Sequence, residues 1–232
     1  MDFKAYIITI KDHLISEAAS DACIMSHSQV KNDFDIEVFD AVTPPMVGEV
    51  MSKYGIEWNY PWEGEHLDLK TGLRKKAYRT ADPLARMACA LSHYELWVKC
   101  IKTGPLMVLE HDARFMHKVP YAEIVSTGYN IVGLNDPFGA TRMPREFDRR
   151  VKNSKKPYAP IPNIDNFDVP QGLAGNSAYI IKPAGAKAML NAVKEHGLWP
   201  NDALMCKQII KRMAVTKKYY TVVQGLPSTT TD

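Results

Sequence analysis

Short apolar runs alternate with helix-spaced apolar positions along most of this chain. Six runs have the length of buried strands: 5–10, 36–39, 106–109, 129–134, 178–181 and 219–223. Apolar residues at spacings of three and four predict five helices: 14–30, 46–54, 83–103, 183–195 and 200–212. Because strands and helices alternate, we expect a three-layer α/β/α fold around a mostly parallel sheet.

Two long stretches lack this periodicity. Residues 55–76 are predicted to be irregular, and residues 138–170 are predicted to form a long basic loop inside a single domain that spans 1–232. Four cations of that loop are candidates for contacts with a polyanion: Arg145, Arg149, Arg150 and Lys152. A solvated, mobile loop is an equally good interpretation of the same residues.

A turn of small residues occupies 171–177, with the sequence QGLAGNS. Small residues let a backbone come close to a ligand, so Gly175 and Asn176 are predicted to border a bound molecule. The sequence contains no Gly-x-Gly-x-x-Gly motif and no phosphate-loop motif, which argues against a dinucleotide enzyme or a kinase. A polar tail follows from residue 224 onward.

The composition narrows the class of protein without identifying it. The chain has 232 residues, 46% hydrophobic and 24% charged, with a net charge of +3, which suits one well-packed α/β domain. No run is long enough to span a bilayer and no secretory leader is recognised, so a cytoplasmic location is predicted. The cysteines have no metal or redox spacing and are predicted to be buried free thiols: Cys23, Cys89, Cys100 and Cys206.

Three polar residues, Glu110, His111 and Asp112, end the apolar run 106–109. Because side chains alternate along a strand, Glu110 and Asp112 should face the same side. Two carboxylates at the carboxyl end of a buried strand suit Mg²⁺ or Mn²⁺, which can also hold the phosphates of a nucleotide. On these three residues alone, a helix cap at Asp112 and a solvated Glu110 are the simpler interpretation.

Three motifs, in this order, resemble those of glycosyltransferase family 25. They are residues 88–97 (ACALSHYELW), residues 108–112 (VLEHD), and residues 177–190 (SAYIIKPAGAKAML) followed by Pro-Asn-Asp at 200–202. Two positions depart from the family pattern, because His111 replaces an acid and Ala88 replaces a glycine. The resemblance implies a GT-A-like (Rossmann-like) glycosyltransferase that uses a nucleotide-sugar donor, a UDP-sugar, together with Mn²⁺ or Mg²⁺.

The resemblance also implies roles for residues around the donor. Asp112 would bind the metal, and Glu110 would hold the ribose or a metal-bound water. Ser92 and His93 would contact the donor, although packing within a helix is the alternative for both. The turn with Gly175 and Asn176 would border the donor as well.

A general base is needed if the inverting course of the family holds. Asp202 is the first candidate and Asp136 the second. We expect Asp202 to be ionised, because helix amide groups should surround it at the start of the helix 200–212. A simple helix cap is an equally good interpretation of Asp202.

The acceptor is open between two classes. The compact length and the Glu-His-Asp variant look like bacteriophage members of such families, which implies a hydroxymethylated pyrimidine base in double-stranded DNA and a location in the host cytoplasm. Arg145, Arg149, Arg150 and Lys152 would then bind that acceptor. The alternative is a lipopolysaccharide or another glycan, and a further alternative is a non-catalytic, nucleic-acid-binding or structural phage protein. The sugar and the oligomeric state are left open.

Overall fold

The computed structural model describes residues 3–227 and 229–230. The first half contains β1 (Lys4–Thr9), α1 (Leu14–Gln29), β2 (Asp35–Asp40), a 3-10 turn (Pro44–Met46), α2 (Val47–Tyr54), β3 (Glu65–Asp68), β4 (Leu73–Lys76), α3 (Pro83–Thr103), β5 (Leu106–Glu110) and β6 (Ala113–Phe115). The second half contains α4 (Tyr121–Ser126), β7 (Ile131–Gly133), α5 (Pro144–Lys152), β8 (Tyr158–Pro160), β9 (Ala178–Ile181), α6 (Pro183–His196), α7 (Asn201–Leu204), β10 (Met213–Thr216) and β11 (Thr221–Val223).

A seven-stranded sheet forms the centre, in the order β2-β1-β5-β9-β7-β10-β8. β1 pairs in parallel with β2 and β5, and β7 pairs in parallel with β10. β9 runs antiparallel to β5 and β7, and β8 runs antiparallel to β10. Only β9 and β8 are therefore reversed within this sheet, and the predicted mostly parallel sheet is confirmed.

The two faces of the sheet are covered by different helices. Leu106 and Val108 of β5 belong to the core shared with α3 and α6, whereas Met107 and Leu109 belong to the core shared with α1 and α4. All four side chains are almost fully buried. This alternation is what a strand covered on both faces requires, and it confirms the three-layer α/β/α prediction.

Helix α3 has clear local signals at both ends. The carboxylate of Asp82 accepts a hydrogen bond from the amide of Leu84 at 2.8 Å, Pro83 occupies the first helical position, and Gly104 follows the last turn. The helix therefore forms where the sequence predicts it. No helix among the described residues is both long and apolar enough to cross a membrane.

The predicted helix 200–212 is wrong beyond its first turn. Helix α7 ends at Leu204, and the following residues turn back against the small-residue segment, where the amide of Lys207 donates to the carbonyl of Gln171 at 2.9 Å. β10 then enters the main sheet, a strand that the pattern missed. The run 219–223 does not close that sheet, because β11 pairs with β6 in a separate two-stranded sheet.

The two stretches without periodicity are also more ordered than predicted. Residues 55–76 contain the antiparallel pair β3 and β4. Residues 138–170 are not one loop, because they contain α5 and the edge strand β8. Phe147 and Val151, four residues apart, are the buried anchors of α5, and its other residues are mostly charged. Two anchors are too few to stand out in such a basic stretch.

Candidate active site

A cavity lies at the edge of the sheet where β1 and β5 end. Ile8, Val42, Cys89, His93 and Glu110 are among its lining residues, and we call it the first cavity. Its volume is about 100 Å³, and Thr229 and Thr230 also line it. Ligand pockets usually measure about 300–1,000 Å³. The first cavity is therefore smaller than a typical ligand pocket.

The predicted carboxylate pair lies beside this cavity. β6, rather than a helix, follows Asp112, which excludes the helix-cap interpretation. Burial, reinforced by the charge of Glu110, raises the pKa of Asp112 to about 7. Its Oδ1 atom is buried and has no hydrogen-bond partner. A buried carboxylate oxygen without a partner is costly unless a ligand satisfies it, so the pair fits the divalent ion predicted from the sequence.

His93 holds Glu110 in place. Its Nε2 lies 3.0 Å from a carboxylate oxygen of Glu110, and its Nδ1 lies 3.0 Å from the hydroxyl of Tyr179. The indole N–H of Trp97 donates to the same hydroxyl at 2.9 Å. Because that hydroxyl accepts from Trp97, it can donate to Nδ1 and leave the proton of His93 on Nε2, toward Glu110.

This contact makes Glu110 differ from its neighbour Asp112. Burial would raise the pKa of Glu110, but the hydrogen bond and charge of His93, with the nearby His111, outweigh burial and lower it. For His111 itself, burial lowers the pKa, helped by His13 and opposed by Glu110. The site therefore combines a stabilised carboxylate with a neutral histidine where the family pattern has an acid.

Ser92 has a positioning role within the site. Its hydroxyl donates to the carbonyl of Ala88 and accepts from the amide of Val42, both at 2.9 Å. These two bonds tie the segment after β2 to α3. Ser92 lines the first cavity, but both of its hydrogen bonds are within the protein, which agrees with the packing alternative.

The sequence reasoning did not assign Arg86 or Cys89 to the site. Arg86 precedes Cys89 by three residues and His93 by seven, so all three lie on one face of α3. This helical spacing relative to His93 is the sequence signal that could have identified both residues. The Nη2 atom of Arg86 donates to the carbonyls of Arg79 and Thr230, while its Nε is buried without a partner. Cys89 is partly exposed, whereas the predicted burial of the other three cysteines is confirmed.

A second cavity, of about 470 Å³, lies beside Asp202. We define the second cavity by Tyr60, Tyr78, Arg79, Arg142 and Asp202, which are among its lining residues. The rings of Tyr60 and Tyr78 stack with centroids 5.7 Å apart. Its volume lies within the range of small-ligand pockets.

The side chain of Asp202 is open to the second cavity, and the walls of that cavity surround it with protein atoms. Burial by these protein atoms raises the pKa of Asp202, and the charge of Glu110 adds a smaller increase. Arg86 and Tyr78 oppose the shift. The expected stabilisation by helix amides is too weak to dominate. α7 has only four residues, and the amide of Ala203 is a minor contributor. The predicted effect of the helix amides on the pKa of Asp202 is therefore outweighed by burial.

The remaining predicted site residues separate into two groups. Gly175, with a φ of +72°, lines a cleft shared with Asp202, and Asn176 is 4% exposed with neither amide atom hydrogen-bonded. Asp136 does not line either cavity, and its carboxylate accepts from the amide of Phe138 in a turn. The structure therefore places Gly175 near the first candidate base and leaves Asp136 in a local structural contact.

The four predicted acceptor-binding cations of 138–170 lie on α5 rather than in a loop. Arg149 and Arg150 both donate to Glu146 and lower its pKa to about 2. Lys152 donates to the carbonyl of Lys217 at 2.8 Å. Arg145 is exposed. Three of the four predicted acceptor-binding cations thus have partners within the protein.

The comparison with family models identifies one match. The model described as glycosyltransferase family 25 (LPS biosynthesis protein) matches residues 22–205. The match includes the residues of α3, β5 and the Asp202 segment. No curated protein sequence matches the chain.

Several solved structures are similar to the chain. The galactosyltransferase LgtC in complex with donor and acceptor sugar analogues is 10% identical, with a TM-score of 0.45, covering 92% of this chain and 73% of LgtC. Mouse xyloside xylosyltransferase 1 in its apo form is 9% identical, with a TM-score of 0.45, covering 89% of this chain and 81% of that enzyme.

Proposed function

Because this chain belongs to glycosyltransferase family 25, we propose that it moves a sugar from a UDP-sugar to an acceptor hydroxyl with the help of Mn²⁺ or Mg²⁺. The observation that carries the proposal is the carboxylate pair at the end of β5, with an unpartnered buried oxygen on Asp112. Membership of an enzyme family also favours catalysis over the non-catalytic alternative.

The metal would be held by Asp112, with Glu110 beside it. Oxygen ligands are those that Mn²⁺ and Mg²⁺ prefer, and a bound ion would satisfy the free Oδ1 of Asp112. When bound, a divalent ion neutralises charge that develops on a diphosphate leaving group. The hydrogen bond from His93 keeps Glu110 ionised and fixed in orientation.

The donor would occupy the first cavity and extend toward the second. The charge of Arg86 acts on both Cys89, which lines the first cavity, and Asp202, which lines the second. Its free Nε and the free amide of Asn176 are hydrogen-bonding groups that a polar sugar or phosphate can satisfy. These two side chains are therefore proposed to orient the donor.

The acceptor would bind in the second cavity, with its hydroxyl toward Asp202. Asp202 removes the hydroxyl proton as the oxygen attacks the anomeric carbon of the donor sugar, and the bond from that carbon to the diphosphate breaks. A carboxylate whose pKa is raised is a stronger base at neutral pH than an ordinary one. The environment of Asp202 thus suits a general base better than a helix cap.

We propose a saccharide as the acceptor class. The second cavity has the size for a small ligand, and the aromatic residues Tyr60 and Tyr78 with Arg79 and Arg142 offer stacking and polar contacts. The second candidate is a hydroxymethylated pyrimidine base in duplex DNA. The observation that favours it is the basic surface of α5, including the exposed Arg145.

Donor binding tests the proposed function. Wild-type protein should show a rise in Tm with UDP plus Mn²⁺, because a ligand that binds only the folded state stabilises it. Asp112→Asn should remain folded and lose that rise. Asp136→Asn, outside both cavities, is the matched control and should keep it. An equal rise in Asp112→Asn would contradict the assignment of the metal site.

A further inference from the structure

Cys89 carries a thiol that the proposed transfer reaction does not use. It is the only partly exposed cysteine among the described residues, and it lines the first cavity. Because it precedes His93 by four residues on α3, its thiol and the imidazole lie on the same face of the helix. The thiol therefore lies next to the Glu110–His93 contact.

The three side chains are close enough to share one ion. The Sγ atom of Cys89, a ring nitrogen of His93 and a carboxylate oxygen of Glu110 all lie within 4.8 Å of one another. Bond lengths of about 2.0–2.3 Å in a tetrahedral zinc site place neighbouring ligand atoms roughly 3.3–3.6 Å apart. Small side-chain movements would thus bring all three atoms to bonding distance.

The surroundings of His93 match those of a metal-binding histidine. A ligating imidazole usually has its second nitrogen oriented by a hydrogen bond. Here Nε2 faces Glu110, while Nδ1 contacts the hydroxyl of Tyr179, which Trp97 also holds. His93, Trp97 and Tyr179 are fully buried, so the imidazole cannot easily rotate away from the ligand position.

We infer that Cys89, His93 and Glu110 form a second metal site, selective for a borderline ion such as Zn²⁺, with its fourth position open to the first cavity. Thiolate and imidazole favour Zn²⁺, whereas Mn²⁺ and Mg²⁺ favour oxygen ligands such as those at Asp112. On binding, the thiol of Cys89 releases its proton to solvent and coordinates as thiolate. The proton of His93 shifts from Nε2 to Nδ1, which then donates to the hydroxyl of Tyr179 and leaves the Nε2 lone pair for the ion. Three protein ligands and one open position are also the arrangement of reactive rather than purely structural zinc sites.

The two proposed sites share Glu110, which has a consequence for activity. An ion held by Cys89 and His93 draws the Glu110 carboxylate away from the ion at Asp112. Zn²⁺ should therefore inhibit transfer that depends on Mn²⁺. This consequence rests on the proposed function, whereas occupation of the Cys89 site does not.

Cobalt spectroscopy tests the site directly. Co²⁺ added to the reduced 232-residue chain should produce a sulfur-to-cobalt charge-transfer band in the near ultraviolet, and Zn²⁺ should displace the Co²⁺. Cys89→Ser should abolish the band and weaken Zn²⁺ binding by at least about 100-fold, more than the 10- to 100-fold typical of losing an orienting partner. Cys100→Ser, a buried thiol on the same helix, should keep the band.

The controls separate this inference from the proposed function. Asp112→Asn removes the proposed Mn²⁺ ligand and should leave the cobalt–sulfur band intact. Thermal unfolding of each variant verifies that it is folded, and Cys89→Ala replaces Cys89→Ser if the latter does not fold. Absence of a sulfur band in the wild type, or its persistence without the Cys89 thiol, would overturn the inference, whatever the result with UDP and Mn²⁺.

Discussion

Individual residues of the site have opposite electrostatic environments only two positions apart. Glu110 receives a hydrogen bond from His93 that lowers its pKa, whereas Asp112 has an unpartnered oxygen and a pKa raised to about 7. Glu110, which already has a hydrogen-bond partner, can orient a ligand, whereas Asp112, whose Oδ1 has no partner, can bind one. The pair therefore combines a fixed carboxylate with one that gains most from an incoming cation.

Asp202 should be essential for transfer and dispensable for donor binding. Asp202→Asn removes the proposed base but keeps a side chain of the same size beside Tyr78 and Arg86. We expect single-turnover transfer to fall by about 10²- to 10⁴-fold, as for loss of general-base catalysis, with the Kd for UDP unchanged. Asp136→Asn should leave both quantities unchanged. Transfer by Asp202→Asn at the wild-type rate would show that another group removes the proton.

Helices α3 and α5 contribute to function in different ways. α3 carries Arg86, Cys89, Ser92 and His93 on buried or half-buried turns, so its packing fixes the site. α5 is anchored only by Phe147 and Val151, and its charged face is exposed to solvent. A change on α3 should thus affect every substrate, whereas a change on α5 should affect only a large polyanionic one.

Neutralising α5 distinguishes the two acceptor classes. Replacing its four cations with Gln should leave transfer to a saccharide within about twofold of wild type, because Arg149, Arg150 and Lys152 are engaged within the protein. The matched control neutralises four exposed lysines outside α5: Lys31, Lys102, Lys187 and Lys194. Gel-shift titrations with hydroxymethylated duplex DNA, over a salt series, measure the alternative. A loss of DNA binding specific to the α5 variant, with DNA as the better acceptor, would favour the DNA candidate.

The stability of the whole molecule should reveal the free-energy cost of ionising Asp112 in the folded state. A carboxyl group whose pKa is raised by folding destabilises the folded state once it ionises. For Asp112, with an ordinary pKa of 3.8 and a folded value of about 7, this cost is absent below the first value and complete above the second.

In the presence of a chelator, Asp112→Asn should therefore be more stable than wild type. The difference should be negligible near pH 3.5, grow between about pH 4 and 7, and level off above pH 7 at no more than about 4 kcal/mol. Thermal and urea unfolding followed by circular dichroism across this pH range measure it. Saturating Mn²⁺ should reduce the difference by stabilising only the wild type. A stability difference between the two proteins that does not change with pH would show that folding does not raise the pKa of Asp112.

The elements with strong local signals were predictable from the sequence. α3 has its capping Asp82-Pro83 start and its Gly104 stop, and the apolar run of β5 admits few alternatives. The two carboxylates after that run are also visible in the sequence, although the metal role came from the family resemblance and Asp112 lies in the turn after β5. These features depend on residues adjacent in the chain, which is why the pattern is sufficient to predict them.

Tertiary contacts decided the rest. The pattern at 200–212 favours a helix, but pairing of the chain near Cys206 with Gly172 stops it after one turn. At Gly172 a side chain would come within 2.8 Å of the carbonyl of Met205, so this glycine permits close approach of another protein segment. Three features of the site depend on residues far apart in sequence. They are the hydrogen bond from His93 to Glu110, the raised pKa of Asp202, and the proximity of Cys89 to His93 and Glu110. Local propensity cannot encode such contacts, because their free energy arises only when the sheet brings those segments together.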